Sequence, residues 1–146
     1  MTSQSKLQRA ATWIFVGCGV WMLGLGIYFL FVRPPLLPED LRFLGWGAAQ
    51  AELVPRLSEW LGKVFTVLGG FMAGAGVLAV VVAVHAVPGR LAGTGVGLAC
   101  AGLLTVGTMS GINFALDSDF KWLLVAPALL WLAGLGCYSA GRSARG

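Results

Sequence analysis

A chain of 146 residues that is 58% hydrophobic and only 11% charged, with a mean hydropathy of +0.83, has too much apolar surface for a water-soluble domain. Its formal net charge of +4 comes from cations scattered at the ends of apolar runs, a topology signal that excludes a nucleic-acid footprint. The 22 glycines lie within apolar runs and not in polar tracts, as in membrane helices that pack closely, so a low-complexity polymer is excluded too.

The first apolar run covers 13–32, long enough to cross a hydrocarbon core, which needs about 20 residues. Lys6 and Arg9 precede it as they would a signal peptide. Its length, and its ending at Arg33-Pro34-Pro35 without a small-x-small site, predict an uncleaved span.

Next comes a stretch at 33–63, about 30 residues, a length that usually carries secondary structure or function of its own. Pro38, Glu39 and Asp40 suit a helix N-terminus, and Leu41 and Leu44 share a face, so a short interfacial helix is expected there, with Phe43 and Trp46 at membrane level. Farther on, Leu53, Leu57, Trp60 and Leu61 form an apolar stripe opposite Glu52, Arg56, Glu59 and Lys63. The pairs Glu52 with Arg56 and Glu59 with Lys63 have the favourable acid-first order, and Pro55 reads as a first-turn residue. The second span is therefore expected to start near Pro55 and stand about two turns above the membrane, and the stretch to be a helical hairpin outside it.

Three further spans follow at 64–84, 91–116 and 120–140, the third longer than needed and so expected to tilt or protrude. The turns Val87-Pro88-Gly89-Arg90 and Asp117-Ser118-Asp119 are short, which predicts that spans two and three, and three and four, are antiparallel neighbours. The expected fold is an all-α membrane protein, a four-transmembrane-helix bundle forming one membrane domain over 1–146. Lys6, Arg9, His85, Arg90, Arg142 and Arg145 fall on one side, and all six acids on the other. Lys and Arg number five on each side, so the acid-free character of the first side is what marks it as cytoplasmic, with both termini there, in the cytoplasmic (inner) membrane.

Catalytic chemistry finds no support. Cys18, Cys100 and Cys137 sit apart inside apolar runs, and His85 is the single histidine, so neither a metal site nor a thiol pair arises and no cofactor is expected. Every acid lies outside the apolar runs, which argues against proton-coupled transport, and no internal repeat is visible.

Intramembrane polarity collects in span three, from Thr105 to Asn113. Thr and Ser can bond the carbonyl one turn back, whereas the Asn113 amide cannot be fully satisfied that way. Arg33, Asp40, Asn113 and Asp117 are accordingly the candidate ligand- or partner-binding residues, around an outer-facing pocket. Gly93, Gly97, Ala101, Thr105 and Thr108 recur at helical spacing and are expected to form the packing stripe of span three, buried against another span or else between subunits, leaving Leu98, Leu103 and Val106 comparatively free. Two functional readings stay open. The favoured one is a non-catalytic accessory or assembly subunit whose partners are membrane lipids and other membrane subunits or a second copy; the other is a lipid- or small-molecule-binding bundle, possibly an enzyme.

Overall fold

The computed structural model describes residues 3–47, 49–50 and 53–143. Five helices run in chain order among them: α1 (Ser3–Phe31), α2 (Pro38–Leu44), α3 (Leu57–Gly89), α4 (Thr94–Ala115) and α5 (Lys121–Ser143), with no strand. All but α2 are long and apolar enough to cross a membrane. The exterior confirms which solvent the sequence suits. Only 17 to 28% of the most apolar window of each long helix is buried, and Trp13, Phe31, Phe71, Leu104 and Trp122 lie exposed. Such a surface is stable only where the surroundings are as apolar as the side chains.

Helix α1 is the centre of the arrangement, lying along both α3 and α5, while α4 is held mainly by α5. Its inward positions Ala11, Phe15, Cys18 and Met22 follow the three-and-four spacing of a helix seam. Pro127, Trp131, Gly134 and Tyr138 repeat that spacing on α5. The ring of Phe15 meets the indole of Trp131 edge-on at 5.1 Å.

Against α3, the contact is between backbones. A Cβ placed on Gly26 would lie 2.4 Å from the Ala73 amide nitrogen, one on Gly76 2.5 Å from that of Leu23, and one on Gly69 2.7 Å from that of Leu30. The partners descend α3 as α1 ascends, so the two helices are antiparallel. Close approach of this kind is what binds helices in a medium that provides no hydrophobic drive between them.

The expected pairing of neighbours is corrected in one place. Helices α3 and α4 are joined by a short turn yet touch only marginally, because α3 is occupied by α1 and α4 by α5. The turn itself also moves: α3 continues through Pro88 to Gly89, and the chain reverses over Arg90 to Gly93, both with positive φ. The Gln8 amide of α1 donates to the Val87 and Pro88 carbonyls at this end, where the Arg90 backbone N–H also reaches the Val87 carbonyl. Helix α4, at 22 residues, is no longer than a span requires.

Within 33–63 the described residues hold α2, a helical step at 49–50 and the first turns of α3 from Leu57. Pro38 opens α2, the Asp40 carboxylate accepts the Leu37 amide at 2.8 Å, and Gly45 in the left-handed region closes it. Glu52 and Arg145 lie outside the described residues, so the Glu52–Arg56 pair does too. Arg56 instead bonds Glu59 at 3.2 Å, and Glu59 bonds Lys63 at 2.6 Å as expected.

Candidate functional site

The polar residues of the loop end are drawn together by α2. Arg33 leaves α1 where the chain turns at Pro34-Pro35, and its guanidinium lies flat against Phe65, 3.6 Å from the ring centroid, with Phe29 at 5.2 Å. One guanidinium nitrogen donates to Asp40 at 3.1 Å and the other to the Pro34 carbonyl at 2.8 Å. The side chain is 7% exposed, so the charge is held by a carboxylate, a carbonyl and two aromatic faces in place of water. On the other flank of α2, the Ser118 hydroxyl donates to the buried Glu39 carboxylate at 3.3 Å and accepts the Phe120 amide at 3.2 Å. Arg42 bonds Asp119 at 2.8 Å across the surface. Helix α2 is thus latched at once to the end of α1 and to the α4–α5 turn.

Of the four candidate ligand-binding residues, only Arg33 and Asp40 meet. The Asn113 amide donates to the Met109 carbonyl of its own helix at 2.9 Å, and Asp117, 83% exposed, pairs with Lys121. The Lys121 hydrogen bond holds the Asp117 carboxyl below the usual carboxylate range, with the charges of Lys121 and Arg42 adding to the effect. Neither the concavity beside Arg90 nor the one along Phe71 of α3 is lined by any of the four. The loop end is a structural latch whose charges neutralise one another. Glu39, Arg42, Ser118 and Asp119 complete it, and sequence reasoning missed them because Glu39 and Ser118 are 79 positions apart.

The packing residues of α4 are also corrected. Gly93, Gly97, Ala101 and Thr108 are exposed and Thr105 half-buried; a Cβ on Gly97 would meet nothing within 4 Å. Thr105 and Thr108 turn their hydroxyls onto the Ala101 and Leu103 carbonyls. The face that packs carries Leu98, Gly102, Val106 and Ser110, so Leu98 and Val106 are buried while Leu103 is free as expected. Trp131 donates its indole N–H to the Leu98 carbonyl at 2.8 Å, and Ser110 donates across to the Leu124 carbonyl at 2.8 Å.

A π turn over Leu103–Gly107 explains this register. Each four-residue step in a regular α-helix overshoots a full turn by about 40°, so three steps would carry Ser110 about 120° off the Leu98 face. The wider π turn absorbs much of that drift and keeps the four in line.

No cluster of three or more His, Cys, Asp or Glu side chains able to hold a metal occurs among the described residues, and the three cysteines are free. The outward face of α4 is one of several apolar faces, with those of α1, α3 and α5, that the chain's own packing leaves open among the described residues. Comparison with known protein families, with curated proteins and with solved structures finds no match.

Proposed function

We propose that this chain is a small, non-catalytic accessory or assembly subunit of the cytoplasmic membrane that lays the outward face of α4 against a helix of another membrane protein subunit. One observation carries the reading: Gly93, Gly97, Ala101 and Thr108 form a line of small side chains turned away from the chain's own helices. Against lipid, such a line gives little contact area; against a second helix, it lets the backbones approach and supplies the dispersion contact that binds membrane helices. The hydroxyls on it are already satisfied locally, so the face makes no polar demand on its partner.

The test uses Gly97, whose side is open. Gly97→Leu should leave heat-induced unfolding of the purified chain in mild detergent unchanged within about 0.5 kcal/mol, while native mass spectrometry registers loss of the co-purifying subunit. Undiminished capture by both Gly97→Leu and Ala101→Leu would sink the reading. A homomer that dissociates in Gly97→Leu would make the partner a second copy.

Both termini and the Arg90 turn belong on the cytoplasmic side in this reading, because the acids collect at the opposite end, where α2 is latched. In a cysteine-free background, Ser58→Cys should react with an impermeant thiol reagent in intact cells and Ser143→Cys should not. Ser58 is the better reporter for the outer side, since Ser118 is buried against Glu39. Reversed labelling would invert the orientation.

A further inference from the structure

At the end of the molecule that bears the termini, Arg90 has no ion pair for its guanidinium among the described residues. It terminates α3 with φ +49°, which folds its side chain back over the ends of three helices. The guanidinium lies against Gly141 of α5, with its carbon 5.8 Å from the Tyr138 ring centroid. Its Nε is buried and has no hydrogen-bond partner. Nε has no surface for an outside acceptor, but the residue is only partly buried, so the remaining guanidinium N–H groups stay open to one.

The chain does not supply that acceptor among the described residues. Glu39, Asp40, Asp117 and Asp119 are engaged at the loop end, and Glu59 pairs with Arg56 and Lys63. The groups that face Arg90 are apolar or aromatic, Gln8 is occupied with the carbonyls of α3, and Lys6, Arg9 and His85 at this end are exposed and not acidic.

Beside Arg90 lies a concavity of about 360 Å³, bounded by Arg90, Leu91, Gly93, Gly95, Val96 and Tyr138. Its floor is the first turn of α4, which has no side-chain cap. First-turn amides of a helix lack intrahelical acceptors and favour an anion. The rim residues Leu91 and Val96 are exposed and apolar, suited to acyl chain. We propose that this concavity binds the phosphate of an anionic phospholipid from the leaflet beside the termini, with Arg90 as its principal ligand. Arginine binds phosphate through paired N–H groups, and the volume admits a phosphate with its glycerol but not a whole lipid. The proposal stands on Arg90 and its cavity; Gly93 is shared with the outward face of α4, but the lipid test below does not depend on the partner assigned there.

Native mass spectrometry of the delipidated full chain, titrated with phosphatidylglycerol or with phosphatidylcholine of the same chain length, tests it. The chain should prefer phosphatidylglycerol about tenfold: both lipids present the same phosphodiester, but phosphatidylcholine also brings a trimethylammonium cation that Arg90 repels. Arg90→Gln should abolish the preference. Val96→Trp, which fills the concavity from its open side and leaves the guanidinium in place, should abolish it as well, and decides the matter if Arg90→Gln fails to fold. A preference retained in either folded variant overturns the proposal. Glycerol 3-phosphate should not displace the bound lipid at millimolar concentration; displacement would assign the site to a soluble phosphate and overturn the lipid assignment.

Discussion

Gly26→Ala and Gly76→Ala should each destabilise the folded chain by at least about 3 kcal/mol, the upper range for forcing a methyl group into a packed interior. The cause is which atoms stand in the way. A Cβ on Gly76 would lie 2.5 Å from the Leu23 amide nitrogen and 2.7 Å from the Gly19 carbonyl oxygen, and one on Gly26 2.4 Å from the Ala73 amide nitrogen. These are backbone atoms of rigid helices, so no rotamer change relieves the contact, and α1 and α3 must separate along much of their seam. Gly24→Ala and Gly74→Ala provide the control two residues away, where an added Cβ meets nothing within 4 Å. Those should be neutral or stabilising by up to about 1 kcal/mol, since alanine is the better helix former. Unfolding by titration with a denaturing detergent reads all four. Equal behaviour of Gly24→Ala and Gly26→Ala would dismiss the glycine seam between α1 and α3.

That control pair also marks how far the sequence can be read. Four apolar runs were plain because hydrocarbon needs about 20 apolar residues, and polar residues break the pattern. The ends were less plain, because a helix does not stop where its apolar run does: α3 begins at Leu57, near Pro55 as expected, but ends past Pro88, where a turn was expected. The seam was present in the sequence but not distinguishable. Gly17 and Gly24 have the same seven-residue spacing as Gly19 and Gly26, yet only the latter two meet α3. In a soluble helix the polar side would decide which face is inward; in lipid both sides are apolar, and the choice rests on the partner's shape.

The stripe read on α4 faces away from the chain's own helices for a related reason. Gly93, Gly97 and Ala101 were aligned on an uninterrupted helical repeat, and nothing in Leu103-Leu104-Thr105-Val106-Gly107 announces a π turn. Small residues mark where a helix can be approached, not by which helix. The latch at the loop end was half legible: Pro38, Glu39 and Asp40 signalled a helix start, while the partners Arg33 and Ser118 could be joined to it only by the fold.

The second large effect is expected at Gly102, and it should be conditional. A Cβ there would lie 2.2 Å from Nε1 and 2.3 Å from Cδ1 of Trp131, the indole that ties α4 to α5 through the Leu98 carbonyl and meets Phe15 of α1 edge-on. Trp131 is 3% exposed, so the ring has no free space to retreat into. Gly102→Ala must therefore displace it, breaking the N–H to carbonyl bond and disturbing the ring pair, for a loss of about 2 to 4 kcal/mol. Trp131→Leu alone should cost about 3 kcal/mol through the cavity it leaves. In the double variant the leucine no longer reaches residue 102 and the new methyl occupies part of that cavity. Its stability should accordingly match or exceed that of Trp131→Leu, an interaction of about 2 kcal/mol where independent sites would add. A double-mutant cycle by detergent unfolding measures this directly. Strict additivity would mean that the indole does not stand over Gly102, and that α4 meets α5 on another face.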